Sequence, residues 1–210
     1  MKKFLNQRGE TLIEVLLAIM ILLIGVISVV KLFESVAINR QIIKERIIAT
    51  NLAREALEAT RNLRDTNWLR FAGEKRKCWN NNFPTSCDGN NPILPDQSYR
   101  ILFDESYRFI LEGISGRLEL EDGAAANENY RLKINSAGLY NHEDGENSVF
   151  FREIYTEYLD QQQNPISDAS ASTANILRLT AKVAWQNRGK IQDVVLTTIL
   201  TDHLNRRNHD

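Results

Sequence analysis

The stretch QRGETLIEVLLAIMILLIG, residues 7–25, decides how this chain is built. No charged residue occurs from Val15 to Val30, and from Leu12 onward the only charge in the run is Glu14. A membrane span takes roughly 20 apolar residues, so the run is just long enough to cross. Lys2, Lys3 and Arg8 precede it. That asymmetry leaves the N-terminus cytoplasmic and everything after Val30 exported. A secretory signal peptide fits poorly, because its apolar region is shorter and ends at a small-residue cleavage site. Here Lys31, Leu32, Phe33 and Glu34 come next instead. A plain signal anchor explains the run but leaves Glu14 as a cost of roughly 2.5–3.5 kcal/mol at mid-bilayer, less near the edge. A carboxylate in such a place calls for a partner.

A short basic leader ending in Gly, followed by Thr-Leu-Ile-Glu-Val-Leu-Leu, resembles the N-terminus of type IV pilins and pseudopilins. The resemblance implies that a prepilin peptidase removes Met1–Gly9 on the cytoplasmic face, that Gly9 precedes the cut, and that Glu10 becomes the methylated mature terminus. Glu14 is then the fifth mature residue. In that family this carboxylate pairs with the terminal amine of a neighbouring subunit, which supplies a cation in the same low-dielectric layer. The first mature residue of the family is usually Phe or Met; here it is Glu10.

Helical periodicity continues past Lys31. Leu32, Val36, Ile43, Ile47, Leu52, Ala56, Leu57 and Leu63 recur at spacings near three, four or their sums, with Lys44, Arg54 and Glu58 between them. Good helix formers dominate NLAREALEATRNLR, and no proline occurs before Pro84. One helix from about Leu12 to about Arg64 is expected, ending at Asp65-Thr66-Asn67. Its apolar stripe needs a cover. A coiled-coil stalk is one answer. A helix packed on a sheet better suits the irregular heptad and the strand-rich C-terminal region, and is the arrangement the resemblance implies.

Residues 71–97 read as loop, rich in Asn, Pro and Gly. They hold both cysteines, Cys78 and Cys87, which can close a small disulfide loop in an exported chain or remain two free thiols. Beyond them, alternation recurs. Tyr99, Ile101 and Phe103 share a face in YRILFD, and Leu118 and Leu120 oppose Arg117, Glu119 and Glu121. Tyr130, Leu132 and Ile134 oppose Arg131 and Lys133, and Leu177, Leu179, Ala181, Val183 and Trp185 line one side of ILRLTAKVAWQ. Period-two patterns with one polar face indicate half-buried antiparallel strands. QNRGK reads as a hairpin turn with Gly189 at positive φ, and about Ile191–Thr201 as the return strand. SVFFREIYTEYL is a further β-favouring run.

The fold expected is therefore α+β: a long N-terminal α-helix, transmembrane in its first half and amphipathic in its second, packed on an antiparallel β-sheet. Its parts are a leader at 1–9, a transmembrane and filament-core helix at 10–30, its amphipathic continuation at 31–66, a loop region with a possible disulfide at 67–97, a sheet head at 98–203 and a polar tail at 204–210.

Composition narrows the function. The chain has 210 residues, 26 basic and 27 acidic, a net charge of -1. Loss of Lys2, Lys3 and Arg8 with the leader takes the mature side chains to 23 basic against 27 acidic, net -4. Neither balance favours a nucleic-acid partner. His142, Glu143, Asp144 and Glu146 crowd one loop, yet without EF-hand spacing, and such loops are usually solvated. His203 and His209 fall near the polar C-terminus. Glu119 and Glu121 read as a wet strand face rather than a catalytic pair; Trp68, Trp79 and Trp185 can be core or surface, and spacing favours the core for Trp185 alone. No phosphate loop, nucleophile triad or zinc spacing is present. The expectation is a non-enzymatic pilin-like subunit of a type IV pilus or secretion pseudopilus, with no cofactor or metal. Its partners are a prepilin peptidase, other pilin or pseudopilin subunits, an inner-membrane assembly platform and membrane lipid. The alternative is a membrane-anchored extracytoplasmic binding module that never assembles.

Overall fold

The structure is a computed structural model that describes residues 8–71, 78–82, 92–103, 109–121, 124–125, 128–166 and 175–202. It divides into two compact units, Met1–Glu45 and Arg46–Asp210. One helix, α1, covers Arg8–Arg70. It runs past the expected stop at Asp65-Thr66-Asn67. Trp68, at 9% exposure, belongs to the core and draws the helix on by a turn. The Asn67 side chain, instead of ending the helix, donates to Asn81 O at 2.6 Å and fastens the following loop.

In the first unit every described side chain of the apolar run is exposed. Lys31 and Glu34 form the first ion pair beyond it, at 3.1 Å.

In the second unit α1 changes character. Ala49, Leu52, Ala53, Ala56, Leu57, Thr60 and Leu63 are buried at the spacing of one helix face. Small residues dominate this face, so the backbone lies close to what it covers. The cover is an antiparallel sheet in the order β10-β9-β7-β1-β2. Its strands are β1 (Gln97–Phe103), β2 (Phe109–Ile114), β7 (Glu146–Leu159), β9 (Ile176–Asn187) and β10 (Lys190–Thr201). The short strands β5 (Arg131–Ile134), β6 (Tyr140–Asn141) and β8 (Pro165–Ile166) attach to it, while β3 (Leu120–Glu121) and β4 (Ala124–Ala125) pair only with each other. Tyr99, Ile101, Phe150, Ile154, Tyr158 and the Leu177–Trp185 row join the α1 residues in one core. Trp185 joins that core as its spacing implies, and so do Trp68 and Trp79, which spacing left open between core and surface.

The opposite face of β7 is also covered. Phe151 and Ala184 pack with Ile114 at the end of β2 and with Leu118 and Tyr130 from the segment after it. The SGRLELED stretch is therefore mostly a strap across the sheet and a strand only at Leu120–Glu121. Tyr130 ends a 3-10 turn, Glu128–Tyr130, and joins this second core, whereas Leu132 joins the first. The two do not share a face, because the β5–β7 pairing shifts register between Arg131 and Lys133. At the turn into β7, Gly145 has φ 112°, and a Cβ there would lie 2.2 Å from the Ile134 carbonyl oxygen. Only glycine fits.

Candidate functional site

The N-terminal segment is helical in backbone from Arg8, so Gly9 and Glu10 lie in the first turn of α1. Met1–Gln7 and the Glu10 side chain lie outside the described residues. Glu14 stands exposed one turn further on, and among the described residues no hydrogen bond or ion pair reaches its carboxylate. Its neighbours are aliphatic and open: Leu12 is 64% exposed, Ile13 63% and Leu17 55%. The one hydroxyl in the run, Ser28, donates to Ile24 O at 2.7 Å and so satisfies itself within the helix. This stretch is long and apolar enough to cross a membrane, and none of it is buried by the described residues. Glu14 is the charged side chain on that open apolar surface.

The loop beyond α1 is held by its asparagines. Asn80 Nδ2 donates to the Tyr158 hydroxyl at 2.5 Å, and that hydroxyl donates to Ile93 O at 2.8 Å. Asn82 Oδ1 accepts from Leu111 N at 2.9 Å while its Nδ2 donates back to Leu111 O, a side chain acting as a short strand on the edge of β2. Cys78 is fully buried and disulfide-bonded; Cys87 lies outside the described residues. A cavity of about 450 Å³ opens beside this loop, lined by Asn82, Pro92, Leu94, Gln97, Tyr99, Gly113 and Ser115. The titratable group in that lining, the Tyr99 hydroxyl, accepts from Leu94 N at 2.7 Å, and burial raises its pKa. These residues offer neither a nucleophile beside a base nor a charge to hold an anion.

The carboxylate-rich loop does not converge. Glu143, Asp144 and Glu146 are exposed, while His142 turns inward to 5% exposure. Among the described residues no three His, Cys, Asp or Glu side chains gather as metal ligands would. His203, His209 and the Glu121 side chain lie outside the described residues, and Glu119 is exposed. Among the described residues no hydrogen bond of normal geometry reaches either nitrogen of His142. Burial first, and then the Arg152 and Arg100 guanidinium groups, push its pKa down to about 3; backbone contacts with Arg131 and Asn129 offset only part of this. The folded chain therefore keeps this imidazole neutral, while the unfolded chain protonates it near pH 6.5. Stability falls as the pH drops below about 6.5 and the loss levels off below about 3, with a slope near 1.4 kcal/mol per pH unit in between. Thermal melts of the full chain in detergent at pH 7, 6 and 5 should show it. His142→Asn should flatten that part of the pH profile, and an unchanged slope in the variant would refute the assignment.

Two charged residues that sequence reasoning passed over form the most deeply set ionic groups. On β7, Arg152 (1% exposed) faces α1 and meets Glu55 at 3.3 Å. The next residue, Glu153 (0% exposed), faces the strap. Its Oε1 accepts from Ser98 Oγ at 2.6 Å, Arg117 Nε at 2.9 Å and Leu118 N at 3.1 Å. Lys182, opposite Glu153 in the β9 register, donates to Leu118 O at 2.9 Å. Both groups hold layers together; neither opens into the cavity.

Comparison with known proteins places the family relation at the N-terminus. Residues 5–30 match the model of the prokaryotic N-terminal methylation motif. No curated protein and no solved structure matches the chain. The matched stretch contains Gly9, Glu10 and Glu14 and ends within the open apolar half of the helix. The chain thus carries the N-terminal signature of type IV pilins and pseudopilins, on a long helix whose second half packs on an antiparallel sheet as in a pilin-like arrangement.

Proposed function

We propose that this chain is a structural subunit of a type IV pilus or secretion pseudopilus, made as a prepilin and cut after Gly9. The observation that carries the reading is the lone carboxylate of Glu14 in the apolar first half of α1, whose side chains none of the described residues cover. In the membrane, lipid covers that surface. In a filament, the same surface packs on the helices of neighbouring subunits, and Glu14 accepts the terminal amine of one of them. Pairing two charges in a low-dielectric layer is favourable only when both are present and well placed, so the ion pair fixes the stagger between subunits. The head stays outside the membrane, and an assembly platform at the inner membrane extracts the processed chain. Methylation of the Glu10 amine leaves its positive charge in place and keeps it available to Glu14. Cys78 takes Cys87 as its disulfide partner, closing the loop beside the sheet.

Mass spectrometry of the protein recovered from cells with an active prepilin peptidase tests this reading. The expected mature chain begins at Glu10, with a mass increment of one methyl group on its amine. A Gly9→Val chain keeps the leader and remains in the membrane. Recovery of a chain that still begins at Met1 despite active peptidase would sink the proposal and favour an anchored module that does not assemble.

A further inference from the structure

The two edges of the sheet are treated differently. On β2 the Asn82 amide occupies the outward N–H and C=O of Leu111. On β10 nothing among the described residues pairs with the outer edge. Arg188 and Gly189, with φ of 51° and 76°, form the two-residue turn into this strand, so Asn187 and Lys190 are its hydrogen-bonded closing pair. The alternation of an antiparallel ladder then fixes the rest. Gln192, Val194, Leu196 and Thr198 bond to β9, while Ile191, Asp193, Val195, Thr197 and Ile199 turn their backbone groups outward. The register with β9 runs without a shift from Lys190 to Thr201. The strand has neither a bulge nor a proline, two of the usual guards against edge-to-edge pairing; the charges it carries are Lys190 at its start and Asp193.

The outward residues also share the face that the α1-packed core leaves uncovered. Val194, Leu196 and Leu200 join that core, whereas Ile191, Val195 and Ile199 remain 46%, 50% and 43% exposed. Their order is symmetric about Val195: apolar, Asp, apolar, Thr, apolar. We propose that the β10 edge pairs with the β10 edge of a second copy of this chain, antiparallel and centred on Val195. In that register Ile191 meets Ile199 of the other copy, Val195 meets its own counterpart, and Asp193 meets Thr197. No like charges face each other, and the Thr197 hydroxyl becomes a donor to the Asp193 carboxylate. Shifting the centre by two residues, to Asp193, sets the two Asp193 side chains against each other, which cross-strand pairing disfavours. The ladder from Ile191 to Ile199 supplies about ten backbone hydrogen bonds. Gln192 Nε2, which now donates to Ile191 O at 3.2 Å, gives way at each end. The contact is isologous and closes on itself; its two-fold axis stands normal to the sheet, so the sheet-packed halves of the two α1 helices run in opposite directions, and the pairing joins heads carried by different filaments rather than neighbours within one.

The test uses the full chain in detergent. Sedimentation should show a dimer. Under oxidation Val195→Cys should cross-link to itself, since directly opposed Cα atoms about 5.5 Å apart fall within disulfide range. Asp193→Cys should not link to itself but should link to Thr197→Cys when the two are mixed. Val195→Pro removes only an outward N–H, and Val195→Lys sets two ammonium groups face to face. Each should weaken dimerisation by about tenfold or more, equivalent to about 1.4 kcal/mol, without lowering the melting temperature. A monomer, a dimer unaffected by Val195→Pro and Val195→Lys, or absence of the Val195→Cys cross-link would overturn the proposal. The last outcome assigns any residual association to α1 instead.

Discussion

Glu14→Gln should leave the protein processed and membrane-inserted but remove it from sheared filaments, with incorporation falling by about tenfold or more, the scale of a lost charge pair in a desolvated setting. The two halves of this expectation have one cause. A neutral amide makes the helix a better membrane span, because a carboxylate costs roughly 2.5–3.5 kcal/mol at mid-bilayer and less near the edge, and an uncharged amide costs less at the same depth. It also removes the carboxylate proposed to neutralise a neighbour's N-terminal amine once lipid has been exchanged for helix contacts. Membrane fractionation and immunoblotting of sheared filaments separate the two halves. Glu14→Asp keeps the charge on a shorter arm and should fall between wild type and Glu14→Gln. Normal incorporation of Glu14→Gln would eliminate the role proposed for this carboxylate. Glu10→Phe is the informative companion. If the extra carboxylate at the mature terminus competes with Glu14 for the amine, this change raises incorporation.

The parts of the fold that were legible in the sequence are those where one face is dry and the other wet. The β9–β10 hairpin shows clean alternation in Leu177, Leu179, Ala181, Val183 and Trp185, then a turn whose Gly189 sits at φ 76°. The apolar run of α1 was legible because nothing interrupts it after Glu14. The middle of β7 stayed hidden. Phe150, Phe151, Arg152, Glu153 and Ile154 are all buried, since α1 covers one face and the strap covers the other. Two layers erase the period-two signal, and Arg152-Glu153 in sequence looks like a solvated pair. β2, with the sequence FILEGI, has no alternation to read for a related reason: it is an edge strand whose partner across the edge is a side-chain amide. The three consecutive asparagines after Trp79 mark a loop by composition, but that Asn80 and Asn82 tie this loop to Tyr158 and Leu111 is decided by tertiary contacts.

The Arg152–Glu55 pair carries the largest stability effect expected in the head. Arg152 is 1% exposed, and burial pulls its guanidinium pKa below the usual value, opposed by Glu55. The guanidinium nonetheless stays charged, because its intrinsic pKa is too high for burial to neutralise it. Its contacts are Glu55 Oε1 at 3.3 Å and Leu52 O at 3.4 Å, and among the described residues Nε has no partner. Within that set, Glu55 thus supplies the counter-charge to a cation enclosed between helix and sheet. Glu55→Gln leaves that cation with amide and carbonyl oxygens alone, a loss of about 3 kcal/mol, at the low end for a broken buried pair because the Glu55 side chain is itself 39% exposed and water reaches it. For a unit of this size the melting temperature should fall by roughly 6–10 °C. Arg152→Met replaces the cation with an apolar side chain of similar length, removes the desolvation cost together with the pair, and should be nearly neutral or stabilising. Combined with Arg152→Met, Glu55→Gln should then cost under about 1 kcal/mol, so the two changes are strongly non-additive. The measurement is a double-mutant cycle of melting temperatures for the full chain in detergent. Additive losses, or an Arg152→Met chain less stable than Glu55→Gln, would show that this arginine acts through its packing and not through an enclosed charge.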